Sequence, residues 1–410
     1  MKIKIIGIVL IFTSLLIAQE KSIPIFLEHH SLLLEDAQKE LLTYRIPFNI
    51  LLFTKINENY ESKFSFSLEF FDSNLFILRE IKTSTIVTSD YENTKKNSIF
   101  FQDIVEFSLP PGKYKLKTNL LVEGIDNQIE IPTSDLIIDT LKSKKINSPI
   151  FVEKNKLNSN ETFLLNFSNS IPLSSDDYEM IIRVSDTSIT KLQYVITKSE
   201  KQILKDSTTN YKKGGIIFSN KDNSISVSIN DKNFEQNIFI ISNFSKLLSE
   251  GKADLEIFYN NKKEKFPINI VWINKPNVLN NPEYSIRLLS YIDDDEIVKD
   301  LLFTSEEKYY EGLSEYWNSK YPTNGIKFNY AMNEYYSRAD YAIEHYSSLN
   351  SFDGAENDRG RIYITYGKPT SVERNYSEKN EIMEIWNYEN LSRNFIFKDT
   401  SGTGKFILVQ

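Results

Sequence analysis

The sequence predicts a multidomain, mostly β protein with a C-terminal α+β domain: two tandem β-sandwiches, then helices and a four-stranded antiparallel meander. Three observations carry that expectation. Short apolar or alternating runs, separated by polar turns, recur from residue 48 to residue 272. Between residues 285 and 348 the apolar spacing changes to three and four residues, the period of a helix. Four strand-like runs then close the chain, and helices followed by antiparallel strands make an α+β domain. The length of 410 residues exceeds one ordinary core, and 27 Phe and 23 Tyr beside many Ile and Thr favour strands.

The N-terminus reads as a signal peptide over residues 1–18. Lys2 and Lys4 precede an apolar stretch from Ile5 to Ile17, and Ala18 ends it before Gln19, Glu20 and Lys21. A basic start, an apolar run short of a bilayer span and a small residue at its end are the features of a secretory leader. The expected mature chain is therefore exported, to the periplasm, the outer membrane or the exterior, with no later apolar run long enough to span a membrane. The chain has no cysteine. That excludes a disulfide framework, a thiol nucleophile, a Cys-based metal site and a lipid anchor of the bacterial Cys-linked kind. The net charge of −8 argues against a nucleic-acid role, which needs basic faces to displace counterions.

Residues 22–145 form the first expected sandwich, with strands at 48–55, 64–72, 75–81 and 113–122. Residues 146–275 form a second, Ig-like one, with strands at 162–168, 179–186, 192–198, 224–230, 237–243, 253–260 and 265–272. Leu109-x-x-Gly112-Lys113-x-x-Leu116 recurs as Leu248-x-x-Gly251-Lys252-x-x-Leu255, each glycine just before an alternating strand late in its domain. The Pro- and Asn-rich segment 274–284 reads as a linker into the domain 276–410. There, helical runs cover 285–292, 296–303, 306–317 and 329–348. On the last of these Ala331, Tyr335, Ala339, Ala342 and Tyr346 share a face, with Glu334 and Arg338 four apart beside it. The final strands are expected at 361–367, 381–388, 394–399 and 405–410.

Few residues suggest chemistry. Asp293 to Glu296 lacks the spacing of a calcium loop and reads as an acidic turn at a helix start. Ser401-Gly402-Thr403-Gly404-Lys405 lacks the spacing of a phosphate loop and reads as a hairpin turn. The histidines are His29, His30 and His345, and neither a nucleophile elbow nor a zinc-binding His-Glu-x-x-His is present. No cofactor, metal or catalytic residue is expected. Asp358-Arg359-Gly360-Arg361 has two readings: an arginine pair gripping a carboxylate or phosphate, or a turn into a strand with an arginine fixed by a buried acid such as Glu334. The structural one is preferred, because Ile362 and Ile364 alternate with Tyr363 and Thr365 as in a strand.

The last 130 or so residues resemble the GWxTD domain, a module of secreted and envelope proteins in certain bacteria. The resemblance rests on Trp317 at the end of an early helix and on Asn333-Glu334-x-Tyr336-x-Arg338-x-x-Tyr341-Ala342. It continues through Asp358 to Ile364, Tyr366-Gly367-x-Pro369, Glu384-Ile385-Trp386-x-Tyr388 and Phe395-x-Phe397. The naming motif is degraded: Gly354-Ala355-Glu356-Asn357-Asp358 keeps its Gly and Asp, with Ala355 and Asn357 where the family has Trp and Thr. The resemblance implies an extracytoplasmic β-plus-GWxTD architecture and no known reaction. The expected function is a non-enzymatic envelope protein that binds an envelope partner, with Trp317, Glu334, Arg338, Asp358, Arg359, Arg361, Tyr363, Tyr366 and Trp386 as partner-binding or structural residues. The alternative is an envelope hydrolase or carbohydrate-active enzyme that uses the Arg and carboxylate cluster. Oligomeric state is not legible in the sequence.

Overall fold

The computed structural model describes residues 25–33, 38–126, 128–140, 145–154, 161–168, 170–221, 223–231, 236–348, 353–376 and 381–409. The expected signal peptide, residues 1–18, lies outside the described residues.

The first strands are β1 (Phe26–Leu33), β2 (Gln38–Pro47), β3 (Thr54–Ile56), β4 (Asn59–Asp72) and β5 (Leu75–Thr88). A short helix α1 (Tyr91–Thr94) follows, then β6 (Phe100–Phe107), β7 (Gly112–Val122) and β8 (Ile129–Ile138). Strands β1, β2 and β6 form one antiparallel sheet; β4 is flanked by β5 and β7 in a second, which β3 and β8 complete. The inward residues of the two sheets, among them Leu42, Ile46, Phe64, Leu68, Leu116 and Leu120, make one core. Tyr44 stacks flat on Phe66 across it at 4.1 Å. The strand expected at 48–55 is not one: a 3₁₀ turn occupies Phe48–Ile50, and only β3 is extended nearby. Pro47 offers no N–H to continue the β2 ladder, and Phe48 instead bonds the carbonyl of Ile99 at 2.9 Å.

The middle of the chain forms β9 (Ile150–Glu153), β10 (Glu161–Phe163), β11 (Ser170–Pro172), β12 (Tyr178–Val184), β13 (Leu192–Lys198) and β14 (Lys201–Thr208). It continues with β15 (Tyr211–Lys213), β16 (Gly215–Lys221), β17 (Ser224–Asn230), β18 (Asn237–Ile241), β19 (Gly251–Tyr259) and β20 (Lys262–Val271). The sheets β15-β18-β12-β9 and β11-β20-β19-β13-β14 enclose a second core that includes Met180, Ile196, Phe239, Phe244 and Leu255. The repeated glycine motif has a structural counterpart. Gly112 opens β7 and Gly251 opens β19, and each strand then pairs with the next in sequence. Gly251 sits at φ +116°, where an L side chain is strained.

A third small sheet, β10-β17-β16, ties the two stacks together. Leu164, just after β10, and Ile216, Phe218, Ile225 and Val227 of the sheet pack with Leu32 and Leu41 of the first stack and with Ile150, Val152, Ile181 and Ile238 of the second. Strands β2 and β12 are consequently buried on both faces.

The C-terminal part begins with α2 (Pro282–Leu288), α3 (Asp295–Leu302), α4 (Tyr309–Lys320), α5 (Tyr330–His345) and α6 (Asp358–Tyr366). Asn281 caps α2, with Pro282 at its first position, and Asn329 caps α5 by accepting from the Met332 N–H at 3.0 Å. The core of this part includes Trp272, Ile286, Leu313, Trp317, Tyr336, Ala339 and Ile364. The closing sheet is β21 (Ser371–Tyr376), β22 (Ile382–Tyr388), β23 (Arg393–Asp399) and β24 (Ile407–Leu408), antiparallel and in that order. The strand expected at 361–367 is instead the body of α6. Arg359, Gly360, Tyr363 and Ile364 are its buried residues, a helical spacing, and Asn357 caps it at the Gly360 N–H, 2.9 Å away. The fourth strand of the meander is β21.

Candidate functional site

The residues singled out in the sequence lie where α5, α6 and the closing sheet meet. Arg359, in the first turn of α6, is buried and reaches Glu384 on β22 at 3.3 Å. Its second amino group donates to the Gly404 carbonyl at 3.3 Å. Its guanidinium lies 4.0 Å from the centroid of Phe406 and 5.2 Å from that of Tyr346. Glu384, equally buried, also accepts from Arg374 on β21 at 2.5 Å. The buried acid that fixes an arginine here is therefore Glu384, not Glu334.

Asp399 shapes the loop that brings Gly404 to Arg359. Its carboxylate accepts from the backbone N–H groups of Ser401, Gly402 and Gly404 at 3.1, 2.9 and 2.7 Å. Burial pushes this carboxyl up, but those amide hydrogen bonds outweigh it and hold its pKa below the ordinary aspartate value. The segment 401–405 is thus a turn between β23 and β24.

The other charges pair separately. Asp358 bonds Arg361, while its second oxygen accepts from the Leu408 N–H at 2.7 Å and pins β24 to α6. Glu334 and Arg338 pair along the exposed side of α5 at 2.8 Å, and Arg338 also reaches the Thr365 carbonyl at 3.4 Å. The structure therefore divides the arginines and acids among three local sets rather than gathering them round one cleft.

The aromatic residues of the set are core. Trp317 and Trp386 are each 2% exposed and Tyr363 is 9%. Trp317 donates to the Tyr336 hydroxyl at 3.4 Å, and that hydroxyl donates to the Ser285 carbonyl at 2.9 Å. Tyr363 stacks on Tyr341 at 4.6 Å, and Trp386 packs on Phe397 at 4.8 Å. Tyr366 is half-buried against Phe395, its hydroxyl accepting from Arg393 at 3.2 Å. Of the two roles expected for these rings, partner-binding or structural, the burial of Trp317, Tyr363 and Trp386 favours the structural one.

Two glycines are demanded by contact rather than by turn geometry. A Cβ on Gly354 would sit 2.0 Å from the Ala342 carbonyl oxygen, and one on Gly360 would sit 1.9 Å from the Gly354 carbonyl oxygen. The short 3₁₀ turn Gly354–Glu356 is thereby wedged between α5 and α6. Residues 253–408 match the family model of the GWxTD domain. The chain carries a GWxTD domain. No curated protein matches the sequence.

Within this GWxTD domain the degraded motif has a physical account. Gly354 admits the backbone of α5. Ala355 is fully enclosed, its carbonyl accepting from the Tyr291 hydroxyl at 3.1 Å. Asn357 performs the capping a threonine hydroxyl can perform, and Asp358 ties down the last strand. Sequence reasoning missed Asn357, Glu384 and Asp399 as organising residues. The signal for Asn357 was a capping residue ahead of a short apolar run; nothing local marked Asp399 as the centre of a turn.

A groove of about 960 Å³ opens elsewhere, where the β-rich part meets the helices. Arg45, Phe100, Tyr178, Trp272, Phe328 and Tyr330 help to line it.

Proposed function

We propose that this protein is a non-enzymatic component of the cell envelope whose GWxTD domain docks a partner protein on the edge of its closing sheet. The carrying observation is β21. All six of its residues are exposed, and among the described residues it pairs only with β22. Val372 and Tyr376 stand 52% and 71% exposed on it. An edge strand open on both faces offers backbone donors and acceptors together with apolar side chains, which is how a sheet adds an extended segment of another protein. The pairing of Arg338, Arg359 and Arg361 with Glu334, Glu384 and Asp358 supports a framework role for the motif charges. The basic, apolar leader-like start of the sequence supports export, and the cysteine-free composition fits a chain held together by its cores.

The test places a photo-crosslinking residue at Tyr376 of the full chain in intact cells, with one at Lys299 on α3 as control. A discrete adduct with a second protein at Tyr376, absent at Lys299 and lost on Val372→Glu, is the expected result. No adduct at Tyr376, or one that Val372→Glu leaves intact, would overturn the docking surface.

A further inference from the structure

We propose that β5 is a self-association edge, pairing antiparallel with β5 of a second copy of this chain about a two-fold axis at Ile81. Strand β5 is 14 residues long and contains no proline. One edge is laddered to β4 along its length. Among the described residues no strand pairs with the other edge, and no backbone hydrogen bond reaches it. A long unguarded edge is a template for another strand.

The geometry restricts the register. In an antiparallel ladder alternate residues point N–H and C=O to the same side, so those facing away from β4 all have one parity. Two copies can therefore pair only with residues of like parity opposite each other. The ladder to β4 shifts between Phe76 and Leu78, so Ile77 is a bulge and the regular stretch runs from Leu78 to Thr88. A two-fold at Lys82 would set lysine against lysine, and one at Glu80 would set glutamate against glutamate. A two-fold at Thr83 would oppose Glu80 to the buried Ile86.

The two-fold at Ile81 alone among these opposes Glu80 to Lys82 in both halves. Glu80 has no ion-pair partner among the described residues, and Lys82, which bonds Asp103 at 2.6 Å, keeps 40% of its side chain exposed. The same register brings exposed apolar side chains together. Ile81, 56% exposed, meets Ile81 of the second copy. Cross-strand charge complementarity and apolar cover thus choose the same alignment.

Because the chain has no cysteine, single substitutions report the register directly. Ile81→Cys in the full chain should give a covalent dimer with an oxidant or a short bis-maleimide. Thr83→Cys alone should not, since its own copy would lie about 14 Å away along the strand. A mixture of Arg79→Cys and Thr83→Cys should crosslink one variant to the other. Sedimentation of the unmodified chain should show a dimer, and Ile81→Lys or Glu80→Lys should raise its dissociation constant about tenfold or more with the circular dichroism unchanged. A monomer across the concentration range would overturn the proposal. So would a dimer that neither surface variant weakens, or trapping through Thr83→Cys rather than Ile81→Cys.

Discussion

Gly360 shows how one missing carbon sets the geometry of the GWxTD domain. Its Cα faces the Gly354 carbonyl so closely that a methyl group would sit 1.9 Å from that oxygen and 2.9 Å from the Ala355 Cα. Both are backbone atoms, so no side chain can swing aside. Gly360→Ala must separate α6 from the 3₁₀ turn and expose Ala355, and it should lower stability by about 3 kcal/mol in urea denaturation. Gly312, in the body of α4, provides the contrast. A Cβ there meets only the tip of Leu301 at 3.4 Å, an ordinary contact. Gly312→Ala should therefore stabilise by about 0.5–1 kcal/mol through the lost backbone entropy of glycine in a helix. Equal midpoints for the two variants would show that the contact at Gly360 relaxes freely.

At the scale of elements, α6 explains what the sequence concealed. Ile362 and Ile364 alternate with Tyr363 and Thr365 over a run too short to separate a period of 2.0 from one of 3.6. Punctuation decides the matter. Asn357 accepts from the Gly360 N–H, and Gly367, at φ +81°, ends the helix with its N–H on the Tyr363 carbonyl at 2.7 Å. Asn357→Ala should cost about 1 kcal/mol, read as a shift of the urea midpoint at unchanged slope. Asn357→Thr, which restores the motif's own residue, should keep most of that stability. A loss as large as with alanine would mean that the cap hydrogen bond contributes little. Helices α2 to α5 were legible because each is amphipathic against a single core, and the alternating β7 and β19 were legible because each covers one face of a sandwich. Strand β2 was not, since Glu-Leu-Leu-Thr-Tyr-Arg-Ile-Pro is buried on both faces and shows no alternation. Of the candidate site, the charged and aromatic residues were visible in the sequence. Their pairing was not, because Arg359 and Glu384 are joined only by the packing of α6 on β22.

Across the whole molecule, the junction between the two β-rich stacks is built from charged side chains as well as apolar ones. Glu28, His30, Glu40, Arg45 and Arg183 are all buried there. Arg45 donates to the Leu164 carbonyl at 2.5 Å, and Arg183 donates to the Ser31 carbonyl at 2.7 Å. Burial lowers the pKa of both arginines to about 10, which leaves them charged at neutral pH. His30 lies tilted against Phe218, ring centroids 4.8 Å apart, with Thr43, His29 and Arg183 around it. Burial first, then the positive charge of Arg183, then His29, hold its pKa well below the ordinary histidine value of 6.5. The unfolded chain therefore takes up a proton at this residue before the folded chain does. The stability it contributes is complete above pH 6.5 and is lost as pH falls from there toward the lower folded value, by about 1 kcal/mol per pH unit. Glu40 acts further down the scale. Burial raises its pKa, but hydrogen bonds from His29, Ser31 and Gln38 outweigh that and leave it below 4.5, so its contribution persists until more acid conditions. The melting temperature should fall between pH 6.5 and 5.5, and His30→Asn, which cannot titrate, should flatten that segment while leaving the decline below pH 4.5. A His30→Asn variant with the same slope between pH 6.5 and 5.5 would place the titrating group elsewhere and make the junction indifferent to mild acid.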